Sequence, residues 1–468
     1  MENFTQLIAL INDNYLGYVL IAALVGSGVY FTFATRFVQF VRPKEMLHLI
    51  LGSNDVPKGQ GHISPFQAFA ISTASRVGTG NIAGVALAIS IGGPGAIFWM
   101  WLIAVFGAAS AFAESTLAQV YKVRSGTHFR GGPAYYIRTA LKNRTLARVF
   151  SIGLVATFPF AFSSVQANTI AQSMQTTFHM APALSGLIIA GLTALIIFGG
   201  LKRIATFSAI IVPVFAIGYI AVTLLIMLLN FTQIPHVLWM IVSDAFSWQK
   251  LMAGTLGGTI MMGARRGLFS NEAGMGSTPN AAATAHTSHP VKQGLVQAFG
   301  VFVDTLLICS CTAFIILLSN YTQFAGLEGI ALTQAALTHE IGSIGNYFLS
   351  ASVLLFAFTS IIGNYYYGQA NVEFLSRRRW VMLTFRVLVS VVIYLGAIIQ
   401  LDLAWGMADL CMTFIAVINI YAILRLSKEV LWVLADYRHQ KRKGKDPVFH
   451  ISNVIANAPQ VADPTVWN

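Results

Sequence analysis

Charge is scarce in this chain. Of its 468 residues only 10% are Asp, Glu, Lys or Arg, against about 25% in soluble domains. Acidic residues are the rarer sign, 17 against 29 basic. With 56% hydrophobic residues and a mean hydropathy of +0.68, that scarcity excludes a soluble globular protein and defines an all-α polytopic membrane protein. Short strands of alternating polarity are lacking too, which excludes an outer-membrane barrel. Cysteine is almost absent: Cys309, Cys311 and Cys411 all lie in apolar runs, so neither a disulfide framework nor a zinc spacing is expected. No Walker A loop, HExxH helix or nucleophile elbow occurs, and Gly78-Thr79-Gly80 follows no strand pattern, so it is not a nucleotide loop. A membrane enzyme would have no catalytic set. The ten histidines are scattered, with His286 and His289 expected at the interface. The start, Met1-Glu2-Asn3, has no basic n-region, and the first basic residue, Arg36, follows the first apolar run; no signal peptide is expected.

What is present is a series of about eleven apolar runs: 15–35, 65–91, 96–121, 147–178, 184–198, 205–229, 253–285, 294–318, 346–375, 380–399 and 404–426. Roughly 20 helical residues cross a bilayer; the fourth run is long enough to tilt. The loops after runs 1, 3, 5, 9 and 11 are basic, with Arg36, Arg42, Lys44 and Lys58; Lys122, Arg124, Arg130, Arg138, Lys142 and Arg144; Lys202 and Arg203; Arg377 to Arg379; and Lys441 to Lys445. Those after 2, 6 and 10 are nearly free of Lys and Arg, Lys250 excepted. The net charge of +12 therefore follows the positive-inside rule, with the N-terminus outside and the C-terminus cytoplasmic, and suggests no nucleic-acid partner. The weakly charged loop with Pro235, Trp239 and Trp248 suits a short interfacial helix.

Two runs contradict a plain membrane anchor. Run 2 holds Arg76-Val77-Gly78-Thr79-Gly80-Asn81 at its centre, and run 7 holds Gly263 to Ser277 with Arg265, Arg266, Glu272 and four glycines. Charge and Gly at bilayer depth are costly in an unbroken helix. They suit helices that open at mid-membrane, where bare carbonyls hold a cation and bare N–H groups face a carboxylate. Close helix packing by small residues, or for run 7 a loop between two half-spans, is the plainer alternative. The two interruptions lie five runs apart, which predicts an inverted 5+5 repeat: an added helix and loop in 1–64, a first repeat in 65–230, a second in 231–426, and a basic tail in 427–468. Thr359 and Ser360 on run 9 either bond their own helix carbonyls or offer hard oxygens to a cation. Gln166 and Asn168 suit an amino-acid ligand or a neighbouring helix equally. Asp304 is a candidate ion or proton site, Asp402 and Asp409 are intramembrane or interfacial carboxylates, and Glu114 is expected to pair with one of the run 7 arginines on the cytoplasmic side.

Three stretches carry a family resemblance: Gly92-Gly93-Pro94-Gly95-Ala96-Ile97-Phe98-Trp99-Met100-Trp101, Gly131-Gly132-Pro133-Ala134-Tyr135-Tyr136 and Phe269-Ser270-Asn271-Glu272-Ala273-Gly274-Met275-Gly276-Ser277. They resemble the alanine or glycine:cation symporters, also called sodium:alanine symporters, over nearly the whole chain. The resemblance implies a LeuT-type fold, sodium-coupled import of alanine or glycine by alternating access, and a bacterial inner-membrane location. Its partners would be the amino acid, sodium and the bilayer, with no cofactor besides the coupling ion and no obligate protein partner. Thr79, Gly80 and Asn81 would be the substrate end of the first broken helix. Phe269, Ser270, Asn271, Gly274, Met275 and Gly276 would serve on the second, with Phe269 and Met275 closing a small pocket, beside Gln166 and Asn364. By similarity to the wider fold, Ala74, Val77 and Phe356 would bind sodium through carbonyls, and Thr359 and Ser360 through hydroxyls. Arg76 stands where the wider fold has a small residue, so one dominant sodium site is expected. A proton-coupled transporter using Glu114, Glu272 or Asp304 is the near alternative; a channel or sensor is the distant one.

Overall fold

The computed structural model describes residues 2–41, 43–52, 63–126, 128–198, 201–450 and 466–467, with the backbone alone for 2–4, 51 and 201–209. Arg42, Lys58 and residues 451–465 of the basic tail lie outside the described residues, as do the side chains of Lys202 and Arg203. In chain order the main helices are α1 (Thr5–Ala34), α2 (Pro65–Arg76), α3 (Gly80–Gly92), α4 (Gly95–Val120), α5 (Arg144–Phe178), α6 (Pro182–Ile197), α7 (Leu201–Leu229), α8 (Leu256–Asn271), α9 (Thr278–Ala282), α10 (Pro290–Leu318), α11 (Ser343–Leu375), α12 (Arg379–Ile398), α13 (Leu401–Arg425) and α14 (Ser427–Arg442). Among the described residues eight helices are long and apolar enough to cross a membrane: α1, α4, α5, α7 from Ile210 onward, and α10 to α13. The second and seventh runs are broken helices, α2/α3 and α8/α9.

Local chemistry explains the ends. Ser64 caps α2 and forms a capping box with Gln67, with Pro65 at the first helical position. Between α3 and α4, Gly93 adopts φ +81°, a conformation that costs other residues a Cβ clash. Lys250, the one basic exception in a cation-poor loop, pins this corner: its Nζ lies 2.8 Å from Asp244 Oδ2 and 3.0 Å from Gly92 O, while Asp244 also accepts from Gly95 N. Pro159 has no N–H to give the helix, and α5 widens to a π-turn over Ala156–Phe162.

In the bundle, α4 packs against α8 and α10; α11 against α5 and α2; and α12 against α5 and α6. The weakly charged loop folds as two short helices, Ile234–Ala245 and Trp248–Met252, with Trp239 and Trp248 exposed. Two features were not legible in the sequence. The basic loop contains an antiparallel hairpin, Val123–Ser125 with His128–Arg130. The polar loop between runs 8 and 9 contains the helix Gly329–Ile341, whose Gln334 donates to Ser173, Thr177, Asn346 and Ser350 oxygens. It lies over α3 and the turn at Gly80–Gly84.

Candidate functional site

The first break is narrow. Val77 leaves the helix at φ −78°, ψ 92°, which turns the Gly78 and Thr79 N–H groups away from their helical acceptors. Both find side chains instead: Gly78 N donates to Asn81 Oδ1 at 2.9 Å, and Thr79 N to Gln166 Oε1 at 3.0 Å. The same opening bares carbonyls. Ser360 Oγ lies 2.9 Å from Ala74 O and 3.2 Å from Val77 O, and Thr359 Oγ1 lies 2.9 Å from Phe356 O. Ser360 is thus brought to Ala74 and Val77, while the Thr359 hydroxyl bonds the Phe356 carbonyl of its own helix; all five residues are buried. Gly78 is needed for this approach, because a Cβ there would lie 2.2 Å from Ser360 Oγ and 2.8 Å from Gln166 Oε1. Gly78→Ala is expected to displace α2 from α11 at a cost of about 1–3 kcal/mol. Uptake measurements should show the loss; full activity with unchanged ion dependence would mean the close approach is dispensable.

The second break is wider. Glu272 is left-handed at φ 56°, and Gly274 and Gly276 follow at 83° and 79°. The first break meets it through Asn81, whose Nδ2 lies 2.9 Å from Ser270 Oγ and 2.7 Å from Asp304 Oδ1. Ser270 Oγ in turn donates to Asp304 Oδ2 at 2.7 Å, and Asn271 Nδ2 reaches Thr305 Oγ1 at 3.3 Å. Phe269 lies against Gly80 and is sandwiched between Phe162 and Trp405, with ring centroids 4.2 and 4.6 Å away. Thr79, Gly80, Asn81, Gln166, Phe269, Ser270 and Asn271 therefore form one assembly around the crossing of the two breaks.

The other residues expected at the substrate face elsewhere. The Gly274 and Gly276 N–H groups point to Glu114, at 3.2 and 3.0 Å, and Met275 lies between them, buried, its N–H bonded to Glu272 O. Asn364 Oδ1 lies 2.8 Å from Ser75 Oγ, which is 2.7 Å from Glu272 Oε1, so Asn364 belongs with Glu272 and Ser277. The expected pairing of Glu114 with a run 7 arginine is corrected. Glu114 accepts from the broken backbone and from Asn419 Nδ2 at 2.6 Å, whereas Arg265 meets Asp13 at 2.6 Å and Arg266 meets both carboxylate oxygens of Asp409. The arginines lie in the half of α8 before the break and Glu114 faces the turn after it. Arg76 turns from the first break toward Thr278 Oγ1 at 2.9 Å and Gln297 Oε1 at 3.0 Å. Asn168 bonds the Ile399 carbonyl, joining α5 to the end of α12.

Above this assembly lies a cavity of about 950 Å³ whose walls include Asp13, Lys250, Arg265 and Asp409. Arg266 and Trp405 line it as well, the Arg266 Cζ being 4.4 Å from the Trp405 ring centroid. Trp405 also lies against Gly84. An ion pair and an aromatic stack thus stand between this cavity and the two breaks. Sequence reading missed Phe162, Trp405 and Asn419; the four-residue spacing of Trp405 and Asp409 on one helix face was the available signal.

The fold agrees with solved transporters. Over 97% of both chains it superposes on a sodium-coupled sialic acid symporter with a TM-score of 0.50 at 14% identity. Over 88% of this chain and 87% of the other it superposes on the Eremococcus coleocola manganese transporter with a TM-score of 0.53 at 14% identity. The class is that of multi-span, sodium-coupled amino acid symporters, and the protein is a transporter, not an enzyme. Residues 1–451 match the model of the sodium:alanine symporter family, and the chain belongs to that family. It is 49% identical to the probable sodium/glutamine symporter GlnT of Bacillus subtilis, over 97% of this chain and 94% of that one. It is 47% identical to the amino-acid carrier protein AlsT of the same organism, over 100% and 98%. With the sodium/alanine symporter AgcS of Methanococcus maripaludis it shares 35%, over 92% and 96%.

Proposed function

We propose that this chain imports alanine or glycine with sodium across a bacterial inner membrane by alternating access. The reading carries eleven spans, an inverted 5+5 repeat over 65–230 and 231–426, and a cytoplasmic C-terminus. The observation that carries it is the meeting of Ser360 Oγ with the Ala74 and Val77 carbonyls at the first break. A hard cation placed among these oxygens, with Phe356 O and Thr359 Oγ1, would draw α2 onto α11 and hold the break open on its other side. There the Thr79 N–H, released from Gln166, and the Gly80 N–H would meet the amino acid's carboxylate at the start of a helix. Sodium acts through its differential affinity for the loaded arrangement, so it raises substrate affinity and substrate raises its own.

Substrate size rests on Phe269, wedged between Phe162 and Trp405 and against Gly80; a methyl or hydrogen side chain fits that space best. Glutamine is the second reading, favoured by the relative named for it at 49% identity. Arg266, Asp409 and Trp405 would form the outer barrier. The test is uptake of radiolabelled alanine, glycine and glutamine into proteoliposomes with sodium, potassium or lithium outside. Sodium-stimulated uptake of alanine and glycine is expected. Equal uptake in sodium-free buffer driven by a pH gradient would replace sodium with protons, and loss of trans-stimulation in counterflow would mean a channel.

A further inference from the structure

The basic face of the protein carries a second cavity, of about 680 Å³, that takes no part in the site above. Arg138, Lys142, Arg144 and Arg148 line it, over Phe374 and Leu375. No ion pair among the described residues includes any of the four cations. Basic residues elsewhere among the described residues do meet carboxylates: Arg130 with Glu373, Lys292 with Asp446 and Lys441 with Glu45, each at 2.8 Å. The local geometry makes the unpaired set more unusual. Arg144 is the first residue of α5, whose start is fixed by the Asn143 side chain accepting from Leu146 N at 2.9 Å. A helix N-terminus carries partial positive charge and favours anions, yet this one gathers four cations. Lys142 is held left-handed at φ 54°, and the Arg138 guanidinium is stacked 4.9 Å from the Phe374 ring centroid. All four side chains are exposed, and Arg138 is held against an aromatic ring.

The surface beyond the cavity identifies the kind of anion. Arg144, Arg148 and Ile152 recur every four residues on one face of α5. Ile152 is 60% exposed, Val149 38% and Leu375 39%, so an apolar strip begins one turn deeper than the last cation. A free phosphate needs only the cations; a phospholipid uses the cations for its headgroup and the strip for its chains. We propose that this cavity binds the phosphate of an anionic phospholipid in the adjoining leaflet. The lipid bridges the start of α5 and the end of α11, the helices that carry Gln166 and the Thr359–Ser360 hydroxyls, and so it braces the frame against which the broken helices move.

Lipid binding is read directly, independently of transport, by native mass spectrometry of the full chain in detergent with added phosphatidylglycerol or phosphatidylcholine. The wild type is expected to retain one phosphatidylglycerol and no phosphatidylcholine at the same concentration. The double variant Arg144→Gln/Arg148→Gln should weaken that retention about tenfold or more, given the attraction each basic residue contributes near an anionic surface. Lys443→Gln/Lys445→Gln removes the same charge from the tail and should leave retention unchanged. Arg138→Gln, judged on a monodisperse sample, gives the same reading should the double variant fail to fold. Equal weakening in the tail variant would reduce the effect to diffuse charge and overturn the site. Displacement of the lipid by millimolar inorganic phosphate would make it a free-phosphate site and overturn the lipid.

Discussion

Ser360→Ala is expected to raise the sodium concentration for half-maximal alanine uptake by about tenfold or more, equivalent to roughly 1.4 kcal/mol. The hydroxyl lies between the bared carbonyls of Ala74 and Val77, at 2.9 and 3.2 Å. Removing it deletes an oxygen from the proposed coordination shell and breaks the contact that holds the first break against α11. Thr359→Ala should act in the same direction, because it removes another oxygen of the proposed shell, without breaking a contact to α2, since its hydroxyl bonds the Phe356 carbonyl of its own helix; Thr359→Ser, which keeps the oxygen, should retain sodium dependence. Uptake titrated against sodium at fixed membrane potential makes the measurement. An unchanged half-saturation in Ser360→Ala would remove the cation from this position.

Glu114→Leu should destabilise the whole protein. Its carboxyl accepts from Gly274 N, Gly276 N and Asn419 Nδ2, and Glu114 is fully buried. An orphaned buried donor costs about 1–3 kcal/mol, so losing the shared acceptor of three should cost several. Asn419 keeps its bond to the Gly274 carbonyl at 2.9 Å and still accepts from the Tyr136 hydroxyl, but neither contact serves the two N–H groups. Glu114→Gln retains one oxygen and should fall between. Thermal unfolding of the detergent-solubilised protein, with the Ser360 variant for comparison, separates the two effects: Ser360→Ala, which takes one donor from two carbonyls, should melt modestly below the wild type, and Glu114→Leu far below both. A wild-type melting temperature in Glu114→Leu would mean the second break is held by something other than this carboxyl.

Both breaks were legible because their residues are poor helix formers at bilayer depth. Gly78 and Gly80 beside Asn81, and Gly274 and Gly276 after Glu272, cannot be explained by lipid contact, and the chain opens at both places. The approach of Ser360 to the first break was legible as well, since run 9 must face that break if the helices are arranged as the resemblance implies. Pairings were not legible. Glu114 was expected to face one of the two run 7 arginines, and it meets neither, because α4 passes the second break on the side where bare N–H groups emerge. Arg266 finds Asp409, 143 residues away, and Phe269 finds Trp405, because α13 crosses α8 just above the break. The helix Gly329–Ile341 escaped notice because its polar residues, Gln334 above all, are buried against other helices, so its pattern resembles a solvated loop.

By itself the sequence determined that this chain lives in a membrane, where two of its helices must break, and which loops carry the positive charge. These are local matters, decided by the cost of charge, glycine and bare peptide in lipid. Only the tertiary structure decided which bare groups meet which partners. Asn81 joins Ser270 and Asp304, Glu114 caps the second break, and Phe374 and Leu375 meet the cations of 138–148 because helices far apart in the chain cross at those points. A hydrogen bond reaches about 3 Å, and no pattern along the chain specifies a distance that short between residues hundreds of positions apart.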